Sequence, residues 1–193
     1  MIANVYESNE SMGAAAADDL TAILKQAIAE QGKAAVILAT GNSQLSFMKA
    51  LRAEPGIAWD KVTVFHMDEY LGMPDSHPAS FRRYIRENLT DHVHPRAFQG
   101  VQADAADIDS EMAQYAALLA EHRPVACVLG IGENGHLAFN DPPAEFDTPK
   151  AIQVVTLAHT ARMQQVGEGH FATVDDVPMQ AISLTIPTLM RPA

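Results

Sequence analysis

His136 stands between an amide and a carboxylate, with Asn134 two residues before it and Asp141 five residues after, in the stretch LGIGENGHLAFNDPP (129–143). An imidazole with such neighbours is a suitable proton shuttle near neutral pH, whereas a lone histidine in a loop is as readily a structural hydrogen-bonding residue. The same stretch carries Gly130, Gly132 and Gly135 in the spacing G-x-G-x-x-G. A dinucleotide cradle needs a helix to begin at the third glycine and lend its N-terminus to the pyrophosphate. Pro142 and Pro143 deny that helix, and the next strand-like run, IQVVTL, carries no acid for a ribose hydroxyl. The glycines read better as turns that present His136.

Two other polar segments follow apolar runs. In MDEY, Asp68 and Glu69 are adjacent acids; on a strand they point to opposite faces, so one can enter a crevice while the other meets a neighbouring element. A partly desolvated carboxylate there can act as a general base; a surface acid pair or a turn cap is the plainer alternative. In ATGNS, Thr40, Gly41, Asn42 and Ser43 form a tight turn into a helix, where free N–H groups and the helix dipole suit a phosphate. An ordinary N-cap uses the same residue types. No G-K-[ST] follows, so the turn is not a Walker loop. A metal site from His66, His77 and His136 has no H-x-x-x-H or cysteine cluster behind it, so no metal is expected.

The elements that must position these segments alternate along the chain. IANVY reads as a first strand, then a helix over 11–31 places Leu20, Ile23, Leu24 and Ile28 on one face. AAVILAT is a continuously apolar strand of the kind buried on both faces of a parallel sheet. The helix QLSFMKALRAE ends at Pro55-Gly56, and KVTVFHM is the next strand, with Asp68-Glu69 at its carboxyl end. Helices are expected near 79–90 and 108–121, then the strands VACVLGI, IQVVTL and AISLTI. Alternation of this kind implies an α/β fold with a mostly parallel sheet, whose ligands bind beyond the carboxyl ends of the strands. ATGNS, MDEY and GENGH all reach that edge.

With 193 residues, 48% hydrophobic and 19% charged, the chain suits one soluble globular domain, 1–193. A net charge of −11 disfavours nucleic acid as a partner, though a few local groups can still hold one phosphate. Cys127, the single cysteine, is expected to be an inert buried thiol in a reducing cytoplasm. MIANVYESNE has no signal-peptide pattern, and no apolar run approaches the ~20 residues that span a bilayer. A cytoplasmic protein with no membrane partner is expected.

In order and spacing, ATGNSQLSFMKAL, HMDEYLGMPDSHPASFRRYI and LGIGENGHLAFNDP resemble the three motifs of the glucosamine-6-phosphate deaminases (isomerases), which share their fold with the 6-phosphogluconolactonases. The resemblance runs from about residue 34 to the end, through TLAHTARMQQVGEG and DDVPMQAISLTIPTLM. MDEY and HLAFN favour the deaminase branch. The resemblance implies a Rossmann-like three-layer sandwich that converts glucosamine 6-phosphate and water to fructose 6-phosphate and ammonia without metal or organic cofactor. It makes Asp68 the base at C2 and C1, and His136 the residue that opens the sugar ring, supported at positions 134 and 141. Thr40, Gly41, Asn42 and Ser43 match its phosphate loop and Arg162 its phosphate-binding arginine. Asn134 stands where many members have Asp, Asp141 where Glu is usual, and Asn42 where Gly is common. Members also continue through a further helix and strand, so the chain is expected to be short at its C-terminus. A 6-phosphogluconolactonase and a non-catalytic sugar-phosphate sensor are the alternatives, and a homo-oligomer stays open.

Overall fold

A computed structural model describes residues 2–192. Helix α1 (Asn9–Gln31) starts where the Ser8 hydroxyl accepts from Ser11 N at 3.1 Å, and ends at Gly32, whose φ of 73° only glycine adopts without strain. It leads into strand β1 (Ala34–Leu38), then helix α2 (Leu45–Ala53), strand β2 (Val62–His66) and strand β3 (Asp68–Tyr70). The segment expected as one helix over 79–90 is α3 (Phe81–Ile85), a π-helical turn (Arg86–Thr90) and α4 (Asp91–Val93). Strand β4 (Ala97–Gln99), helix α5 (Ile108–His122), strand β5 (Ala126–Val128), strand β6 (Ile152–Thr156), helix α6 (His159–Gly167), strand β7 (Gln180–Leu184) and the short helix α7 (Ile186–Leu189) complete the order.

The strands form two sheets. The first is wholly parallel, ordered β4-β2-β1-β5, with β1 running beside β2 from Ala34 opposite Val62 to Leu38 opposite His66. The second is antiparallel, ordered β3-β7-β6. The chain leaves one sheet for the other at Met67: His66 ends β2, Asp68 opens β3, and Leu184 N donates to the Met67 carbonyl at 2.8 Å.

Both faces of the parallel sheet are covered, which is why β1 is apolar at every position. Val36, Leu38, Val62 and Val64 point one way, into α1, α2 and the π-turn through Leu20, Leu24, Met48, Leu51 and Leu89. Ala35, Ile37 and Phe65 point the other way, onto Tyr115 and Leu119 of α5 and onto Ile182 and Leu184 of β7. The expected three layers and mostly parallel sheet are therefore present, together with an antiparallel sheet that the alternation did not announce. Helices α1 and α2 touch closely at Gly13, where a Cβ would lie 2.6 Å from Ser46 Oγ and 2.7 Å from Phe47 N.

IANVY is not a strand. Residues 2–6 are irregular, with Ile2 and Val5 89% and 97% exposed, because no strand borders them and their backbone forms no ladder. Cys127 lies on β5 and is partly buried, and that burial pushes its thiol up to about 12.

Candidate active site

Beyond the carboxyl ends of β1, β2 and β5 lies a cleft of about 340 Å³, and the three polar segments converge on it. Thr40–Ser43 follow β1, Asp68 follows β2, and Gly130–His136 follow β5; all three contribute to its lining.

Asp68 is 6% exposed, and its Oδ1 has no hydrogen-bond partner. Burial, with a smaller contribution from the Glu69 charge, pushes its carboxyl up to about 8. Its proton affinity is thus poised near neutral pH, where a base that must take a proton from carbon gains strength while staying partly ionised. Glu69, 0% exposed, points the other way, as alternation on a strand requires. Its carboxylate accepts from Tyr70 N at 3.1 Å, Ser80 Oγ at 2.7 Å, Phe81 N at 3.2 Å and Arg82 N at 3.0 Å. It caps α3, and the Arg82 guanidinium lies 3.5 Å away. Burial raises the Glu69 carboxyl, and these donors oppose the rise.

His136 is oriented from behind. Its Nδ1 is 2.7 Å from Asn134 Oδ1, and since a carbonyl oxygen only accepts, Nδ1 is the donor in this contact and Nε2 is the nitrogen it leaves unengaged. The Asn134 amide in turn donates to Asp141 Oδ1 at 2.9 Å, and Asp141 Oδ2 accepts from Ala158 N at 3.3 Å. Asp141 Oδ1 is itself 3.5 Å from His136 Nδ1. Asn134, Asp141 and the imidazole are therefore in mutual contact, the amide bonded to both and the carboxylate beside the ring.

The glycines have separate tasks. Gly135, at φ 87°, makes the turn that brings its N–H to the Gly132 carbonyl at 2.9 Å, while Gly132 N donates to the His136 carbonyl at 3.0 Å. A Cβ on Gly132 would overlap the His136 ring, so the imidazole lies against bare backbone. Asn140 fastens the loop to β7 by donating to the carbonyls of Leu137 and Leu184, each at 2.8 Å.

On the opposite wall Gly41 adopts φ 106° and the chain enters a 3-10 turn (Asn42–Gln44) that continues into α2. The first N–H groups of such a turn have no partner within it. The Gly41 carbonyl accepts from Gln44 N at 3.0 Å and from the Tyr84 hydroxyl at 2.7 Å.

Arg162 is placed elsewhere. Its Nε donates to the Val177 carbonyl at 3.2 Å, and its Nη2 bonds the carbonyls of Val174 and Val177. It is absent from the cleft lining because the 174–177 turn supplies acceptors within reach. His66 and His77 do not line the cleft either. Buried His66 accepts from Val101 N at 2.8 Å and is held down at about 3, neutral, by burial and then by Arg82; His77 Nδ1 accepts from Ala79 N at 3.0 Å.

Several lining residues carried no sequence signal. Gln164, Gln165, Glu168 and His170 line the cleft. Gln165 is reached only through folding, its Oε1 accepting from the Tyr70 hydroxyl at 2.7 Å. His170 Nε2 lies 3.4 Å from Glu168 Oε2.

The model of the family described as glucosamine-6-phosphate isomerases/6-phosphogluconolactonase matches residues 7–191. A glucosamine-6-phosphate deaminase from Streptococcus uberis is 34% identical over 169 residues, 88% of this chain and 70% of that protein. One from Geobacillus is 33% identical over 188 residues, 94% of this chain and 72% of that protein. Among solved structures, a monomeric glucosamine-6-phosphate deaminase superposes with a TM-score of 0.83 at 26% identity, covering 95% of this chain and 76% of the other. A 6-phosphogluconolactonase from Shewanella baltica superposes with a TM-score of 0.77 at 18% identity, covering 96% and 75%, a likeness of fold alone.

Proposed function

Since the chain belongs to the family of glucosamine-6-phosphate isomerases and 6-phosphogluconolactonases, we propose that it converts glucosamine 6-phosphate and water to fructose 6-phosphate and ammonia, as a single-domain cytosolic enzyme of amino-sugar catabolism. One observation carries the reading: a buried carboxylate, an oriented imidazole and a helix-leading glycine turn, delivered by three different strands, line one cleft.

In this reading the phosphate sits on Thr40–Ser43, where the turn and α2 offer N–H groups and a favourable dipole. His136 moves a proton between the ring hydroxyl system and the ring oxygen, opening the pyranose; Asn134 and Asp141 keep Nε2 available for it. Asp68 takes the C2 proton of the open aldose and returns it at C1 through a cis-enolamine. Water then adds to the C2 imine, and ammonia leaves as the C2 carbonyl forms. The low polarity around Asp68 strengthens its basicity for the step at carbon. Arg162 serves the phosphate only by giving up the Val174 and Val177 carbonyls, so phosphate holding rests on residues 40–43.

The test is to incubate the purified chain with glucosamine 6-phosphate and measure ammonia and fructose 6-phosphate. Release of both in equal amounts is expected. Hydrolysis of 6-phosphogluconolactone alone would favour the other branch of the family, and binding without turnover would favour a sensor.

A further inference from the structure

Asp68 begins a strand of the antiparallel sheet, whereas Thr40–Ser43 leave a strand of the parallel one. One element touches both. At its start α3 is gripped by Glu69, the residue next to Asp68, through Ser80 Oγ, Phe81 N and Arg82 N. One turn later Tyr84 donates its hydroxyl to the Gly41 carbonyl at 2.7 Å, with its ring packed against the core beneath α1 and α2.

That hydrogen bond matters because of what a peptide is. The Gly41 carbonyl and the Asn42 N–H belong to one planar trans unit and point in opposite directions. A glycine at φ 106° lacks the Cβ that would otherwise oppose rotation of this unit, so the sequence alone does not fix which way it faces. Tyr84, together with Gln44 N at 3.0 Å, holds the carbonyl toward the protein and turns the Asn42 N–H away from it. We propose that Tyr84 is a positioning residue that locks the Gly41–Asn42 peptide with its N–H facing the substrate phosphate. The proposal rests on the deaminase reading of the cleft and adds to it a residue outside the cleft lining.

Tyr84→Phe keeps the packed ring and removes only the donor. The expected result is a KM for glucosamine 6-phosphate raised about tenfold with kcat changed less than about twofold, since the lost bond orders a binding group and not the reacting one. The Kd for inorganic phosphate, measured directly by titration calorimetry, should weaken by a similar factor. The thermal midpoint serves as the control for folding, and a merely structural role would move it without splitting KM from kcat. Unaltered KM and phosphate Kd, or a fall in kcat at constant KM, would overturn the proposal. A wild-type chain that binds phosphate without turnover refutes the deaminase reading, while the phosphate Kd of Tyr84→Phe still decides the lock. If the wild type binds neither phosphate nor the sugar phosphate, both fall together.

Discussion

Asp68→Asn separates two consequences of one buried carboxyl. In the native protein burial and Glu69 hold this group at about 8, against 3.8 for the free side chain. Between those values the folded chain binds a proton that the unfolded chain has lost, so the unfolded state binds fewer protons and stability falls as pH rises. Each unit across the window costs up to ~1.4 kcal/mol, and relaxation of a real interior reduces the sum by pH 8 to an order of 3–5 kcal/mol. The amide has nothing to ionise and escapes this loss. Urea unfolding of both proteins at pH 5, 6, 7 and 8 is the assay, the difference between them isolating Asp68 from every other titrating group. Relative to the wild type, the variant should rise steadily in stability from pH 5 toward pH 8. In the ammonia assay it should lose on the order of 10³-fold or more in kcat. A stability difference that stays flat with pH would refute the raised proton affinity, and retained turnover would refute the assignment of Asp68 as the base.

Gly132→Ala places a methyl where the His136 ring now lies, so kcat should fall about 100-fold, read in the same assay, with the unfolding midpoint in urea little changed. Asn134→Asp sets a second carboxylate against Asp141, 2.9 Å from the present amide nitrogen. The like charges should loosen the loop and lower kcat about tenfold, and a faster enzyme would refute this reading of the pair. Glu69→Gln keeps the shape but cannot accept all the donors that now converge on the carboxylate; stability should drop by about 3 kcal/mol in urea.

Much of this architecture can be read from apolar strings. AAVILAT and KVTVFHM appear as β1 and β2 within two residues of their ends, because strands buried on both faces have no polar positions to blur them. The break at Met67 was not readable: HMDEY continues as extended chain, and only the pairing of Asp68 with Ser183 moves it into another sheet. IANVY misleads by the same rule, being apolar and β-prone without a neighbour to pair with. In the cleft, residues 40–43, Asp68 and His136 announce themselves through glycine turns and strand ends. Arg162 did not follow its motif, since backbone carbonyls from another turn capture it. Tyr84, Asn140 and Gln165 act through partners 43, 44 and 95 residues away, separations at which a single sequence carries no pattern.

The change of sheet at Met67 has a mechanical side. Asp68 and residues 40–43, the proposed base and phosphate turn, ride on two sheets that meet at Met67, where Leu184 N donates to the Met67 carbonyl, that are linked again by the segments from β3 to β4 and from β5 to β6, and that α3 braces. On the proposed site assignment, a sugar phosphate held at Thr40–Ser43 and reacting at Asp68 bridges the two sheets and acts as a removable cross-link between them. Occupancy then stiffens the seam, by whatever free energy the ligand contributes to the folded state alone. A shift of one sheet against the other would change the spacing of the proposed base and phosphate turn while leaving every strand pairing intact, so on this assignment the seam matters to turnover more than either sheet.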